Sequence, residues 1–147
     1  MDAMQISRSG LDVEWQRLQI IAANIANMNT TRTADGSAFV AKRLVSGPVE
    51  GFQQMLQASG TFSTTSARHG SGVMVYDIAT SNAGTRQVYD PDHPHADEAG
   101  YVTLPAISQA EEMSLLIKTQ RSYEANLVAL SAAQQMYNSA LQIGRQS

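Results

Sequence analysis

The stretch Ser108–Gly144, SQAEEMSLLIKTQRSYEANLVALSAAQQMYNSALQIG, decides how this chain is read. Met113, Leu116, Gln120, Tyr123, Leu127, Leu130, Gln134, Tyr137 and Leu141 follow one another at alternating steps of three and four, the spacing that aligns residues along one stripe of an α-helix. Ser108 with Glu111 three residues on reads as a capping box, in which each side chain satisfies a backbone donor of the other residue, and Gly144 reads as a helix stop. A helix from Gln109 to Ile143 spans about 52 Å at the usual rise, longer than a domain of this size needs for its own core. The surplus length points to a partner. Gln120 and Gln134 fall on the stripe, where a polar side chain lowers stability but penalises wrong registers.

The other end of the chain repeats the arrangement on a shorter scale. From Ser9 to Asn27, the residues Leu11, Trp15, Leu18, Ala22 and Ile25 keep the same alternation, a coiled-coil seam, and Asn27, Asn29 and Thr30-Thr31 end it. Between the helices the composition turns to Gly, Ser, Thr, Pro and β-branched residues. Strands are predicted at Phe39 to Val45, Gly51 to Leu56, Val73 to Thr80, Arg86 to Tyr89 and Tyr101 to Leu104, with turns at Ser46-Gly47-Pro48 and Ser81-Asn82-Ala83-Gly84. Gln57 to Gly72 reads as a flexible loop. The expected architecture is α+β: long N- and C-terminal helices (1–31 and 107–147) forming a coiled-coil hairpin, around a small β-rich middle region (32–106).

Bulk properties narrow the function. At 147 residues, with 43% hydrophobic and 16% charged residues, the chain suits one domain, and three Phe with one Trp leave the core to Leu, Ile, Val, Met and Ala. A net charge of -3 gives no basic footprint for nucleic acid. With no cysteine there are no disulfides, thiolate metal sites or Cys nucleophiles. Asp2, Arg8, Asp12, Glu14 and Arg17 interrupt the N-terminal region, which argues against a cleaved signal peptide or a membrane span and makes a cytoplasmic location the default.

The densest polar cluster is Tyr89-Asp90-Pro91-Asp92-His93-Pro94-His95-Ala96-Asp97-Glu98. Asp90, Asp92 and His95 offer ligands to a divalent ion, but no established ligand spacing is present, and the expected form is a rigid, extended, solvated loop stiffened by its prolines. Arg68-His69-Gly70-Ser71-Gly72 lacks the Lys of a phosphate loop, and no GxSxG elbow occurs. Tyr123 beside Arg121 is better read as a packing aromatic than as part of a catalytic pair. No catalytic, cofactor or metal residue is assigned, and neither a cofactor nor a small-molecule substrate is expected.

Several motifs resemble the flagellar basal-body rod family. At the N-terminus these are Ser9-Gly10-Leu11, Arg17-Leu18, the run Ala22-Ala23-Asn24-Ile25-Ala26-Asn27 and Thr30-Thr31; at the C-terminus they are Glu111-Glu112-Met113 and Arg121-Ser122-Tyr123-Glu124-Ala125-Asn126. In the middle, Asp35-Gly36 leading into Phe39-Val40-Ala41-Lys42-Arg43, then Val88-Tyr89-Asp90-Pro91 through Pro94-His95-Ala96-Asp97 and Gly100-Tyr101-Val102, are similar to the family's short proximal-rod members.

The resemblance implies a non-enzymatic subunit of the periplasmic rod, which transmits torque from motor to hook. It also implies passage through the flagellar type III export apparatus with no signal peptide removed, which replaces the cytoplasmic default. The partners it implies are other copies of the chain, other rod subunits, and the rod-to-ring adapter with its membrane ring. The expected helix-packing and assembly residues are Leu11, Trp15, Leu18, Ala22 and Ile25 with Met113, Leu116, Tyr123, Leu127, Leu130, Tyr137 and Leu141. Two other readings compete: a soluble helical adaptor or export chaperone, and a metal-binding module using the Asp/His/Pro loop.

Overall fold

Helix α1 (Asp2–Ala26) begins earlier than the periodicity from Ser9 indicates and closes where Asn27 was expected to close it. Ala23 O accepts both the backbone N–H of Asn27 at 3.1 Å and its side-chain amide at 2.8 Å, after which the bonds tighten to Met28 N–H on Ile25 O and Thr30 N–H on Asn27 O. This change from i−4 to i−3 bonding is how the helix ends. Helix α2 (Gln109–Arg145) starts at the expected cap: Ser108 Oγ accepts the N–H of Glu111 at 3.4 Å and Ser108 O that of Glu112 at 3.1 Å. Gly144 does not end it. With open space around it, this glycine costs a helix only about 1 kcal/mol relative to alanine, too little to outweigh continuation of the turn.

The computed structural model describes residues 2–34, 36–49, 72–81 and 84–145. Four strands lie between the helices: β1 (Lys42–Pro48), β2 (Val73–Thr80), β3 (Thr85–Tyr89) and β4 (Tyr101–Pro105), paired as β1–β2 and β3–β4 in two small sheets. The fold is therefore α+β, with small antiparallel sheets between two long helices. β2 matches its predicted span, and β3 and β4 are each one residue longer than predicted. β1 is displaced toward the C-terminus of its predicted span, so Ser46-Gly47-Pro48 is strand and not turn. The reason lies across the sheet: a Cβ at Gly47 would come within 2.6 Å of the Tyr76 ring, so glycine makes room for the aromatic, whose hydroxyl donates to Pro48 O. Pro48 sits at the strand end, where its missing N–H removes no ladder bond. The predicted strand Gly51 to Leu56, the loop Gln57 to Ser71 and residues 82–83 of the expected turn lie outside the described residues.

The chain divides into two compact units. One takes Gln16–Leu44 and Asp77–Thr119 and holds most of the core: Ile21, Ala41, Leu44, Val102 and Pro105 are buried, together with three polar side chains, Asn24, Glu112 and Thr119. In it β3 pairs antiparallel with β4, Thr85 opposite Pro105 and Tyr89 opposite Tyr101, and the facing tyrosines meet edge to face at 5.3 Å. The other unit takes Met1–Trp15, Val45–Tyr76 and Gln120–Ser147. Its described interior is slight, with Gly10 and Val13 buried. No helix of the described residues is long and apolar enough to cross a membrane.

Candidate functional site

The most ordered polar arrangement sits in the first of these units, and three of the motifs singled out in the sequence meet there. Asn24, fully buried on α1, uses its side-chain amide as a strand would use its backbone: Oδ1 accepts the N–H of Lys42 at 3.0 Å while Nδ2 donates to the carbonyl of the same residue at 2.9 Å. Nδ2 also approaches Oε2 of Glu112 at 3.4 Å. Glu112, on α2 and only 1% exposed, pairs through Oε1 with Nη2 of Arg43 at 2.5 Å. A carboxylate taken this far out of water needs such a partner, because burial of an unpaired charge costs several kcal/mol even after relaxation. Arg43 is not fully satisfied in return: its Nη1 is buried with no hydrogen-bond partner among the described residues.

The stripe expected to form the seam is not the buried face of either helix. On α1 Trp15 is 55% exposed and Ala22 is exposed, while Leu11, Leu18 and Ile25 are half-buried. The buried line runs through Gly10, Val13, Ile21 and Asn24. On α2 Met113, Leu127, Tyr137 and Leu141 are exposed, whereas Leu116, Tyr123 and Leu130 are half-buried. The deepest α2 positions are Glu112 and Thr119, one residue before the expected Met113 and Gln120, and both Gln120 and Gln134 face solvent. An apolar count misplaces the stripe because the buried column contains small and polar residues.

Consequently α2 carries two apolar faces. One is at least partly covered within the chain; the other, through Met113, Leu127 and Leu141 at fourteen-residue steps, is exposed, with Ile117, Val128, Met136 and Ile143 exposed elsewhere around the helix, and from Gln134 to Gly144 every residue is exposed. In the unit that holds Trp15, its ring lies 6.5 Å from that of Tyr123, an aromatic pair at the surface. In the same unit Gly10 lies against Asn126, where an added Cβ would be 2.9 Å from Nδ2.

The motif residues separate into two kinds. Asn24 anchors the polar junction, Asn27 caps α1 and accepts the Thr30 hydroxyl at 3.2 Å, Ile25 is half-buried and Ala26 exposed. Ser122, Tyr123 and Asn126 are half-buried, and Arg121, Glu124 and Ala125 are exposed. Sequence reasoning quoted Glu112 and Arg43 as motif positions without assigning them a role. An acid at the covered edge of an amphipathic helix and a basic residue within a strand were the available signals.

The Asp/His/Pro segment is a succession of tight turns and not an extended loop. Asp97 organises it, its Oδ1 accepting the N–H groups of Ala99 and Tyr101 at 3.0 and 2.8 Å, and Gly100 adopts the left-handed conformation, with φ at 80°. His93 Nδ1 accepts the N–H of His95 at 3.0 Å, and His95 Nδ1 lies 2.8 Å from Thr31 Oγ1. These contacts occupy one ring nitrogen of each histidine, and among the described residues no three His, Asp or Glu side chains are grouped to hold a metal ion.

Comparison with known proteins agrees with the motifs. The family described as "Flagella basal body rod protein" matches residues 4–32, and "Flagellar basal body rod FlgEFG protein C-terminal" matches residues 98–143. Among full-length relatives, the flagellar basal-body rod protein FlgC of Bacillus subtilis is 34% identical, covering 97% of both chains. FlgC of Aquifex aeolicus is 36% identical over 92% of this chain and 90% of its own. FlgC of Salmonella typhimurium is 30% identical over 99% and 98%.

Proposed function

This chain belongs to the FlgC family of flagellar basal-body rod proteins, and from that premise we propose how its geometry serves a rod: α1 and α2 pair antiparallel as a coiled-coil hairpin, and the apolar surface left bare packs on neighbouring subunits. The chain is a structural subunit of the flagellar basal body. Its work in the rod is mechanical, carrying torque from motor to hook through packed side chains, with no reaction to perform.

Two contacts support the antiparallel pairing. Moving two heptads forward along α1, from Gly10 to Asn24, moves the partner residue two heptads back along α2, from Asn126 to Glu112. The observation that carries the assembly reading is the exposed second face of α2, with Leu127 and Leu141, two heptads apart on one line, each at 50% exposure. An apolar helix face of this length in water marks a contact surface, and open heterologous contacts between like subunits build helical arrays. Trp15 and Tyr123 supply an aromatic anchor of the type that dominates interface energetics.

The reading extends to copies of this chain and other rod subunits as neighbours, and to the rod-to-ring adapter and membrane ring at the base. It places the subunit in the periplasmic span of the basal body, delivered through the flagellar type III apparatus and not by a cleaved signal. Leu127→Asp tests it. The purified variant keeps its helical circular dichroism, whereas its incorporation into basal bodies and the swimming of cells that depend on it are lost. Normal swimming with Leu127→Asp overturns the assembly role of this face.

A further inference from the structure

We propose, building on the hairpin reading, that the junction of Asn24, Lys42, Glu112 and Arg43 selects the register of α2 against α1. The apolar residues leave that choice open. One heptad column of α2 reads Glu112, Thr119, Asn126 and Ala133, and the adjacent one reads Leu116, Tyr123, Leu130 and Tyr137. A slide of one heptad sets Gly10 against Ala133 in place of Asn126, and Asn24 against Thr119 in place of Glu112. Gly10 then meets a smaller side chain, so no clash at that close approach opposes the slide. The neighbouring column still offers Leu and Tyr at every layer, and α2 is long enough to keep α1 covered.

The slide destroys the junction. The short, neutral Thr119 side chain cannot replace a carboxylate that pairs with Arg43 and meets the Asn24 amide, so Arg43 loses its counter-charge. Sliding the other way sets Asn24 against residue 105, outside α2. A single buried polar contact within an otherwise permissive seam is a known means of fixing coiled-coil register, at a cost in stability. That cost is visible in Nη1 of Arg43, buried and unpartnered among the described residues. For a subunit that repeats along a shaft, register decides where the exposed face of α2 falls relative to α1.

The cysteine-free chain allows a direct test by disulfide trapping in the full-length protein. Gly10→Cys with Asn126→Cys reports the native register, since a Cβ at position 10 lies 3.1 Å from Asn126 Cγ, within reach of a bridge. Gly10→Cys with Ala133→Cys reports the slid one. Each pair is oxidised mildly in two backgrounds, native and Asn24→Leu/Glu112→Leu, and the linked peptides are counted by mass spectrometry.

In the native background the 10–126 link should exceed the 10–133 link by about tenfold or more, and in the leucine background the two should approach parity. A 10–126 link that stays dominant in the leucine background overturns the register role and leaves the hairpin standing. Absence of the 10–126 link in the native background overturns the hairpin itself, and with it this proposal. If the leucine background loses its helical signal, Glu112→Gln alone replaces it. A severalfold rise of the 10–133 link over native then supports the proposal, and an unchanged ratio overturns it.

Discussion

The two compact units differ in what they bury. Among its described residues, the unit of Gln16–Leu44 and Asp77–Thr119 encloses five apolar side chains and three polar ones, with its carboxylate paired and its asparagine amide fully engaged. The unit of Met1–Trp15, Val45–Tyr76 and Gln120–Ser147 has, among its described residues, only Gly10 and Val13 fully covered, while most of the exposed aliphatic and aromatic residues of α2 lie in it. One unit settles its own structure through directional contacts. The other keeps apolar area available, which is what a subunit needs if its last packing partners belong to another molecule. On the proposed reading, stability of the isolated chain and competence for assembly depend on different residues.

That contrast can be broken at the polar junction first. Glu112→Ala leaves Arg43 without its partner, and because the Arg43 side chain is 36% exposed and water takes up part of the lost contact, the change is worth about 2 kcal/mol, a fall in melting temperature of roughly 6 °C for a chain of this size. Thermal unfolding followed by circular dichroism measures it, and a change under 2 °C would show that the pair contributes nothing in place. Asn24→Ala strands both backbone groups of Lys42 at the edge of the core, for about 2 kcal/mol, read in the same melts or as a shifted urea midpoint.

A smaller effect is expected at Gly100, whose φ of 80° is unfavourable for any other residue and where a Cβ would lie 3.0 Å from Tyr89. Gly100→Ala should cost about 1–2 kcal/mol without touching assembly. Smallest of all in the isolated chain is the double change Met136→Ser/Ile143→Ser, expected within about 0.5 kcal/mol of the parent because both side chains are already exposed. Its effect appears in the rod, as reduced recovery of the chain in purified basal bodies. Equal losses of stability from the junction and from the tail of α2 would erase the distinction between the units.

Much of this was legible in the sequence, for reasons that also explain the misses. Both helices announce themselves by sustained periodicity, and the cap at Ser108 and the close at Asn27 are local chemistry that the tertiary structure left alone. β2 and β4 are runs of β-branched and aromatic residues between turn formers, and they stand where expected. β1 was displaced because Gly47 and Pro48, ordinary turn residues, serve a contact with Tyr76 that no local window contains. The line buried within the chain runs about one residue to the side of the expected packing stripe for a related reason. A search for apolar repeats finds Trp15, Leu127 and Tyr137, whereas the positions actually covered include a glycine, an asparagine, a glutamate and a threonine. Apolarity marks surfaces that want covering and does not say whether the cover comes from the same chain.

The amide of Asn24 grips Lys42 by its main chain and ignores its side chain. Position 42 should consequently tolerate wide replacement in a saturation library screened for motility, with proline the sharp exception because it has no N–H to offer. Mutational permissiveness at one site and intolerance at its neighbour in space would then follow from a single choice of which atoms do the holding.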